Sequence, residues 1–228
     1  MLCVDTGMGP QSVLQATLVT LWGVRLTWNF WRKGGYVPYS GEDYRWIKLK
    51  EILPPLVFQV FCFFFIVIGH NLLLFAITWP LLLAALFDKG FDDNTWIVVR
   101  MFLIFFVGQV IADEQQWRFQ KEKYQRRARK ETLTGDFKAG FLRSGLFRAS
   151  RHPNFFCEIC IWWTMYLFSC KATGILINWT VIGALMLNLL FLGSTWFTER
   201  ISSAKYPEYA HYQQTTSKLI PFFPRRLK

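Results

Sequence analysis

The run Leu56–Phe87, LVFQVFCFFFIVIGHNLLLFAITWPLLLAALF, decides the fold class of this chain. It carries no Lys, Arg, Asp or Glu, and a helix of roughly 20 such residues is already long enough to cross a bilayer. The run is too long for one helix, and it is interrupted by Gly69-His70-Asn71 and by Pro80. We therefore predict one span followed by a second segment that is shorter or re-entrant.

Other apolar segments recur along the chain. The sequence is 53% hydrophobic and 18% aromatic, and soluble domains rarely carry so many aromatic residues in long uninterrupted runs. We predict an all-α fold, a multi-pass transmembrane helical bundle of about five spans, between four and six. A large soluble α-helical domain is the alternative. The further predicted spans are Val13–Trp31, Trp96–Ile111, Phe155–Cys170 and Gly174–Phe197.

The positive charge is concentrated in one part of the chain. The formal net charge is +11, and the segment Arg118–Arg151 holds 11 Lys and Arg against 3 Asp and Glu. Basic clusters beside membrane helices mark the cytoplasm-like face and attract anionic lipid head groups. They can also hold the phosphates of a nucleotide. We expect membrane lipids, including anionic head groups, as partners, and no nucleic acid, because the basic stretches are tied to membrane helices.

We predict a single membrane-embedded domain over residues 1–228. Its parts outside the spans are an N-terminal segment (1–12), a basic extramembrane helix and loop (118–147) and an amphipathic tail (201–228). Cys157 and Cys160 form a C-x-x-C, but no second Cys or His pair stands at zinc spacing. No metal site is predicted.

The polar segment directly before the apolar run Ile159–Leu167 is the first candidate site. Pro153 suits the first position of a helix, whose positive end, with Arg148 and Arg151, would form an anion site at the membrane surface. Asn154 both donates and accepts hydrogen bonds, which suits an amide or a ribose, and Glu158 lies one turn further on the same face. The alternative is that the Arg and His side chains extend to lipid head groups and the proline merely starts a helix.

Two more polar positions stand at the ends of predicted spans. The carboxylate of Asp113 could hold a ribose hydroxyl or an amide, or could simply mark where a helix leaves the membrane. Glu199 ends the last predicted span, and Tyr209 and Tyr212 follow in the tail. These tyrosines either line a cofactor site or dock the tail on the membrane surface.

Segment Gly145–Glu158 resembles the G-L-[FW]-R-x-S-R-H-P-N-[YF]-F-G-E signature of the membrane steroid 5-alpha-reductase-like family, the DUF1295 group. The resemblance covers nearly the whole chain in the expected order. Further matching stretches are Leu21–Leu26, Gly41–Trp46, Ala112-Asp113 with Gln115 and Phe119, Glu199, Tyr206–Tyr209 and Leu219–Pro221.

The resemblance implies a multi-span reductase that uses NADPH to reduce a carbon–carbon double bond in a lipid-like or sterol-like substrate. The nicotinamide would supply the hydride, and the protein would orient it and polarise the acceptor. No catalytic residue is assigned. The resemblance places the protein in the endoplasmic reticulum, with the mitochondrial inner membrane as the alternative. The residues expected to bind the cofactor, Arg148 included from its own chemistry, are Asp113, Arg148, Arg151, His152, Asn154, Glu158, Glu199 and Tyr209.

Several departures from the family pattern favour other functions. Cys157 stands where the signature has Gly, Ala149 and Phe155 stand where Tyr is usual, and Gln109 stands where relatives often carry Glu. Reductase relatives also have earlier spans that help enclose the substrate, where this chain has only 1–12; if the chain is complete, half of the chamber is expected to be missing. The second hypothesis is therefore a catalytically degenerate accessory subunit of a large membrane complex. The third is an S-adenosylmethionine-dependent membrane methyltransferase, because that superfamily shares a similar R-H-P motif.

Overall fold

The structure, a computed structural model, describes residues 9–37, 43–87 and 90–224. Residues 1–8 of the N-terminal segment, Gly41 and Glu42 of the matching stretch Gly41–Trp46, and residues 225–228 of the tail lie outside this part. The described part is all α-helical, as predicted, apart from one isolated bridge between Ser150 and Ser217. Its helices are α1 (Pro10–Arg32), α2 (Tyr44–Ile52), α3 (Pro55–Cys62), α4 (Asn71–Leu86), α5 (Asp93–Ala128), α6 (Gly135–Ala139), α7 (Pro153–Thr173), α8 (Val181–Lys205) and α9 (Tyr209–Thr215).

The predicted break within Leu56–Phe87 is wrong. A π-helical segment, Phe63–His70, joins α3 to α4, and the result is one unbroken helix, Pro55–Leu86. Pro80 removes one backbone N–H, so the carbonyl of Ala76 has no partner in its own helix. A backbone position of α8, Gly183, packs directly against that carbonyl: a Cβ there would lie 2.4 Å from the Ala76 oxygen. The absence of a side chain at Gly183 therefore lets α8 approach this helix closely, one turn before the proline.

Three helices are long and apolar enough to cross a bilayer: Pro55–Leu86, Asp93–Ala128 and Val181–Lys205. Most of their side chains in the apolar windows are exposed, which is the pattern of helices that face lipid. The chain is therefore an integral membrane protein with several spans. The last predicted span begins later than expected, because residues 174–180 form a turn before α8.

The chain divides into two compact units. The first unit comprises Met1–Phe102 with Ile161–Leu189, and the second comprises Leu103–Cys160 with Leu190–Lys228. The second unit thus holds the end of α5, the start of α7, the end of α8 and the tail. Its sequence contains 17 Lys and Arg against 8 Asp and Glu, so it accounts for most of the positive charge. All eight predicted site residues belong to it.

A lysine organises one end of the first unit. The ammonium of Lys171, near the end of α7, donates to Oε1 of Gln11 at 3.1 Å and to the carbonyl of Gly90 at 2.9 Å. It also lies 3.2 Å from Oδ1 of Asp92. Asp92 caps the start of α5: it accepts from the backbone N–H of Thr95 at 2.8 Å, and its own N–H donates to the Thr95 hydroxyl at 3.2 Å. This reciprocal pair satisfies two backbone groups that a helix start leaves free.

The Asp92 cap is expected to make stability depend on pH. Hydrogen bonds from the Thr95 N–H and hydroxyl, with a contribution from Lys171, lower the pKa of Asp92. Because the folded-state pKa lies below the unfolded value, the carboxylate stabilises the fold at neutral pH. The contribution is lost as the pH falls from roughly 4 through the lowered pKa.

The change that tests this is Asp92→Asn. We expect this variant to have a lower melting temperature than the unmodified protein at neutral pH. In acid, the difference between the two melting temperatures should become smaller. Melting curves in detergent over this pH range measure both effects. Asp93→Asn, one residue along on the same exposed turn, is the control, and equal behaviour of the two variants would contradict the assignment.

Candidate functional site

The predicted segment Gly145–Glu158, called the Arg151 segment below, begins with a tight turn that a glutamine holds. Gly145 has a φ of 61°, and a Cβ there would lie 2.6 Å from the amide of Gln115. The next backbone N–H, of Leu146, donates to Oε1 of Gln115 at 3.0 Å. A 3₁₀ turn, Gly145–Arg148, follows, and Pro153 is the first residue of α7, as predicted. Glycine is required at position 145 by both its backbone angle and its close neighbour.

Three of the predicted residues meet around one buried carboxylate. Arg151 donates to Glu199 through Nε at 2.7 Å and through Nη2 at 3.1 Å. Nε2 of His152 lies 3.0 Å from Oε1 of Glu199, and the amide of Gln213 donates to Oε2 at 3.0 Å. The Arg151 and Glu199 side chains are each only 9% exposed. Both carboxylate oxygens are thus occupied by side chains of the protein itself.

The remaining donors of Arg151 hold the tail. Its Nη1 donates to the carbonyls of Gln213 and Thr216, both at 2.7 Å, and its backbone N–H donates to Ser217 at 2.8 Å. The Ser150 hydroxyl donates to the carbonyl of Leu219 at 2.7 Å. The guanidinium is therefore committed to internal partners, a role that the sequence did not predict. Its predicted contact with a cofactor stays a prediction.

Tyr209 lies in an aromatic cluster next to this network. The cluster's buried members are Ala139, Phe141, Tyr209 and Tyr212. The ring of Tyr209 packs edge-on against Phe141, 5.0 Å between centroids, and the Tyr212 hydroxyl donates to the carbonyl of Phe147. Burial raises the pKa of Tyr212 far above its usual range, so this phenol stays protonated and keeps its hydrogen bond. Tyr209 is thus placed where it packs the tail against the loop that holds Phe141.

Glu158 has a buried partner on α5. The amide nitrogen of Gln109 donates to Oε2 of Glu158, and both side chains are buried. The other end of that amide, Oε1 of Gln109, is buried and accepts no hydrogen bond from any described residue. An unpaired buried acceptor is costly, commonly by about 1–3 kcal/mol. The Oε1 of Gln109 is therefore a buried acceptor without a partner among the described residues, next to the Glu158 carboxylate.

Cys157, which stands where the family signature has Gly, packs beside this pair. Cys157 is buried, and a Cβ on Gly108 would lie 3.0 Å from its Sγ. Gly108 precedes Gln109, so the cysteine fills space that a small residue on α5 leaves open. The Cys157 side chain is accommodated by that glycine.

The other predicted residues are more accessible. Asp113 and Asn154 are half-buried, and Arg148 is exposed. Close to them in sequence, an open groove of about 650 Å³ lies between the C-terminal end of α5 and residues 136–145. Its lining includes Arg118 and Lys121. The rings of Phe119 and Phe137 also line it, stacked at 5.3 Å.

Sequence reasoning missed both the groove and the Gln109–Glu158 pair. None of the eight predicted residues is among those that line the groove. A usable signal existed for the pair, because Gln109 is a polar residue inside the apolar run Trp96–Ile111, and such a residue needs a partner at membrane depth. The partner itself stands 49 positions away and was not predictable from spacing.

One family model matches the chain over most of its length. The profile of a family described as "Protein of unknown function (DUF1295)" matches residues 1–216. An uncharacterized protein of Schizosaccharomyces pombe is 39% identical over 222 residues, which cover 93% of this chain. The chain spans 63% of the length of that relative. No solved structure matches the chain.

Proposed function

Because the chain belongs to the DUF1295 family, and because its site presents an unpaired buried acceptor beside a carboxylate, we propose that it is a membrane-embedded reductase. It uses NADPH to reduce a carbon–carbon double bond in a lipid-like or sterol-like substrate. The observation that carries this proposal is the free Oε1 of Gln109 next to Glu158. A primary carboxamide, such as that of nicotinamide, offers an N–H donor to this oxygen.

The groove on the extramembrane side suits the other half of the cofactor. Arg118 and Lys121 are cations that match phosphate groups, and the Phe119–Phe137 stack offers an apolar face for an adenine ring. Gln109 and Lys121 stand 12 positions apart on α5, about 18 Å along a helix axis. An extended dinucleotide is long enough to reach from one to the other along this helix.

The chain's residues have separate tasks in this proposal. NADPH, when bound, supplies the hydride. Gln109 and Glu158 orient the ring through its carboxamide, and Asn154 adds a further donor and acceptor near the start of α7. Arg118 and Lys121 neutralise phosphate charge. Arg151, His152 and Glu199 position the Arg151 segment by holding it to the tail.

Five spans make up the proposed membrane part. α1 turns polar residues inward, namely Gln11, Gln15, Arg25 and Asn29, whereas Val24, Trp28 and Trp31 are more than half exposed. Apolar outside and polar inside is the arrangement of a helix that faces lipid. α7 has 21 residues, about 31 Å of helix, which matches the roughly 30 Å hydrocarbon core. With the three most apolar helices, these supply five spans. We propose the endoplasmic reticulum as the membrane, with the mitochondrial inner membrane as the alternative.

Loss of the Gln109 amide is expected to weaken NADPH binding. Gln109→Leu removes the carboxamide acceptor, and we expect the dissociation constant in lipid nanodiscs to rise by roughly ten-fold or more. NADPH fluorescence measures it. Gln15→Leu is the matched control, because Gln15 is equally buried in the first unit and also carries an unpaired amide atom among the described residues. No measurable NADPH affinity in the unmodified protein would sink the reductase proposal.

A second function is favoured by one observation. Arg151, His152 and Glu199 are bonded to one another or to the tail, as expected of a chain whose motif now serves structure alone. In that case the chain is an accessory subunit of a larger membrane complex. It would then bind neither NADPH nor S-adenosylmethionine and would co-purify stoichiometrically with other subunits after mild solubilisation. Binding of S-adenosylmethionine alone would favour the methyltransferase instead.

A further inference from the structure

The tail presents aromatic side chains outward beyond its last helix. Phe222 and Phe223 are 66% and 87% exposed, and Ile220 is 68% exposed. Exposed apolar groups of this size, close together, mark a surface that meets another phase or partner. The tail is hydrogen-bonded to Arg151, directly before α7, and to Glu199, near the end of α8. It therefore packs beside the ends of two helices that we propose as membrane spans.

An open groove of about 400 Å³ lies along this tail. Its walls combine the apolar side chains of Ile220, Phe222 and Phe223 with the ammonium of Lys218 and the polar groups of residues 213–217. From Tyr209 to the end of the sequence there is no Asp or Glu, and the sequence continues beyond Pro224 with Arg225, Arg226 and Lys228. A groove with hydroxyl, amide and ammonium donors beside exposed rings matches an amphipathic ligand whose polar part is anionic.

We propose that this groove binds the anionic head group of a bilayer lipid, with Phe222 and Phe223 entering the interfacial layer of the membrane. Aromatic rings prefer that layer, and Lys218 and the exposed Arg148 supply positive charge on the described surface. The net charge of the second unit is positive, which is complementary to an anionic head group. The proposal goes beyond the reductase function and does not depend on it.

Lipid binding at the tail would also stabilise the Arg151 segment, because the two are joined by backbone hydrogen bonds. The N–H of Phe222 donates to the carbonyl of Ala149 at 2.9 Å, and Ser217 pairs with Ser150 and Arg151. The tail therefore cannot detach from the rest of the second unit without breaking its hydrogen bonds to residues 149–151. An anionic membrane should hold both segments in place together.

Hydrogen exchange of the full-length protein in nanodiscs tests the proposal. Phosphatidylcholine discs are compared with discs that also contain phosphatidylserine. We expect exchange of the amides of residues 209–223 to slow in the anionic discs, on the order of five-fold for each cation that meets the surface. The variant Phe222→Ser/Phe223→Ser/Lys218→Gln should lose this difference. Ile177→Ser, at another exposed apolar position in the first unit, should keep it.

Three outcomes would overturn the proposal. Equal exchange in the two kinds of disc would mean that the tail does not sense lipid charge. Slowing in phosphatidylcholine discs on addition of inorganic phosphate alone would assign the groove to a soluble anion. Protection that rises with protein concentration would assign the surface to a second copy of the chain. Unchanged slow exchange in α8 of the variant shows that the fold is intact.

Discussion

Replacing Glu199 with alanine is expected to lower the free energy of unfolding by about 3–5 kcal/mol. The substitution leaves the guanidinium of Arg151 and the ring of His152 buried without the carboxylate that both contact. It also removes the acceptor of the Gln213 amide. The loss exceeds the worth of the ion pair itself, because an uncompensated buried charge has to be solvated or expelled. The tail that Arg151 holds should loosen at the same time.

Denaturation in mixed detergent micelles measures this effect. The surface pair Lys48–Glu51, whose side chains are about half exposed, supplies the control, since Glu51→Gln should change stability by less than about 1 kcal/mol. A double variant, Arg151→Met/Glu199→Leu, should recover only the part of the loss that comes from the uncompensated guanidinium charge. The Gln213 amide and the carbonyls of Gln213 and Thr216 would still lack their partners. If Glu199→Ala were no worse than Glu51→Gln, the network would not be a determinant of stability.

The second large effect is expected at Gly183. In Gly183→Ala the new Cβ would stand 2.4 Å from the Ala76 oxygen and 2.6 Å from its carbonyl carbon. Backbone atoms cannot turn away as a flexible side chain can, so α8 must shift from the helix Pro55–Leu86. We expect a loss of about 1–3 kcal/mol, and a larger loss in Gly183→Leu.

Gly193→Ala provides the matched control on the same helix. No atom lies within 4 Å of a Cβ at Gly193 among the described residues. The higher helix propensity of alanine should then stabilise the protein by up to about 1 kcal/mol. Opposite signs for the two variants would support the contact between Gly183 and the Ala76 carbonyl. A stabilising Gly183→Ala would contradict it.

Structural features were predictable from the sequence where residues of a single helix determine them. The apolar runs give the helical class, and Pro153 marks the start of α7 because its ring suits that position. The break expected at Pro80 is wrong, because the helix continues through the proline to Leu86. Its packing partner there, Gly183, lies far along the chain. The sequence alone shows that Pro80 lacks a backbone N–H. It does not show which helix packs beside the proline.

The candidate site divides in the same way. The Gly145–Glu158 motif indicated the family and the region of the candidate site. The apolar composition indicated an integral membrane protein. Only the tertiary structure decided that Arg151 meets Glu199 and the tail, and that Glu158 meets Gln109. The physical reason is that polar groups in an apolar environment take whichever partner lies within hydrogen-bond distance. That distance depends on how helices α5, α7 and α8 pack, and no spacing along the sequence encodes it.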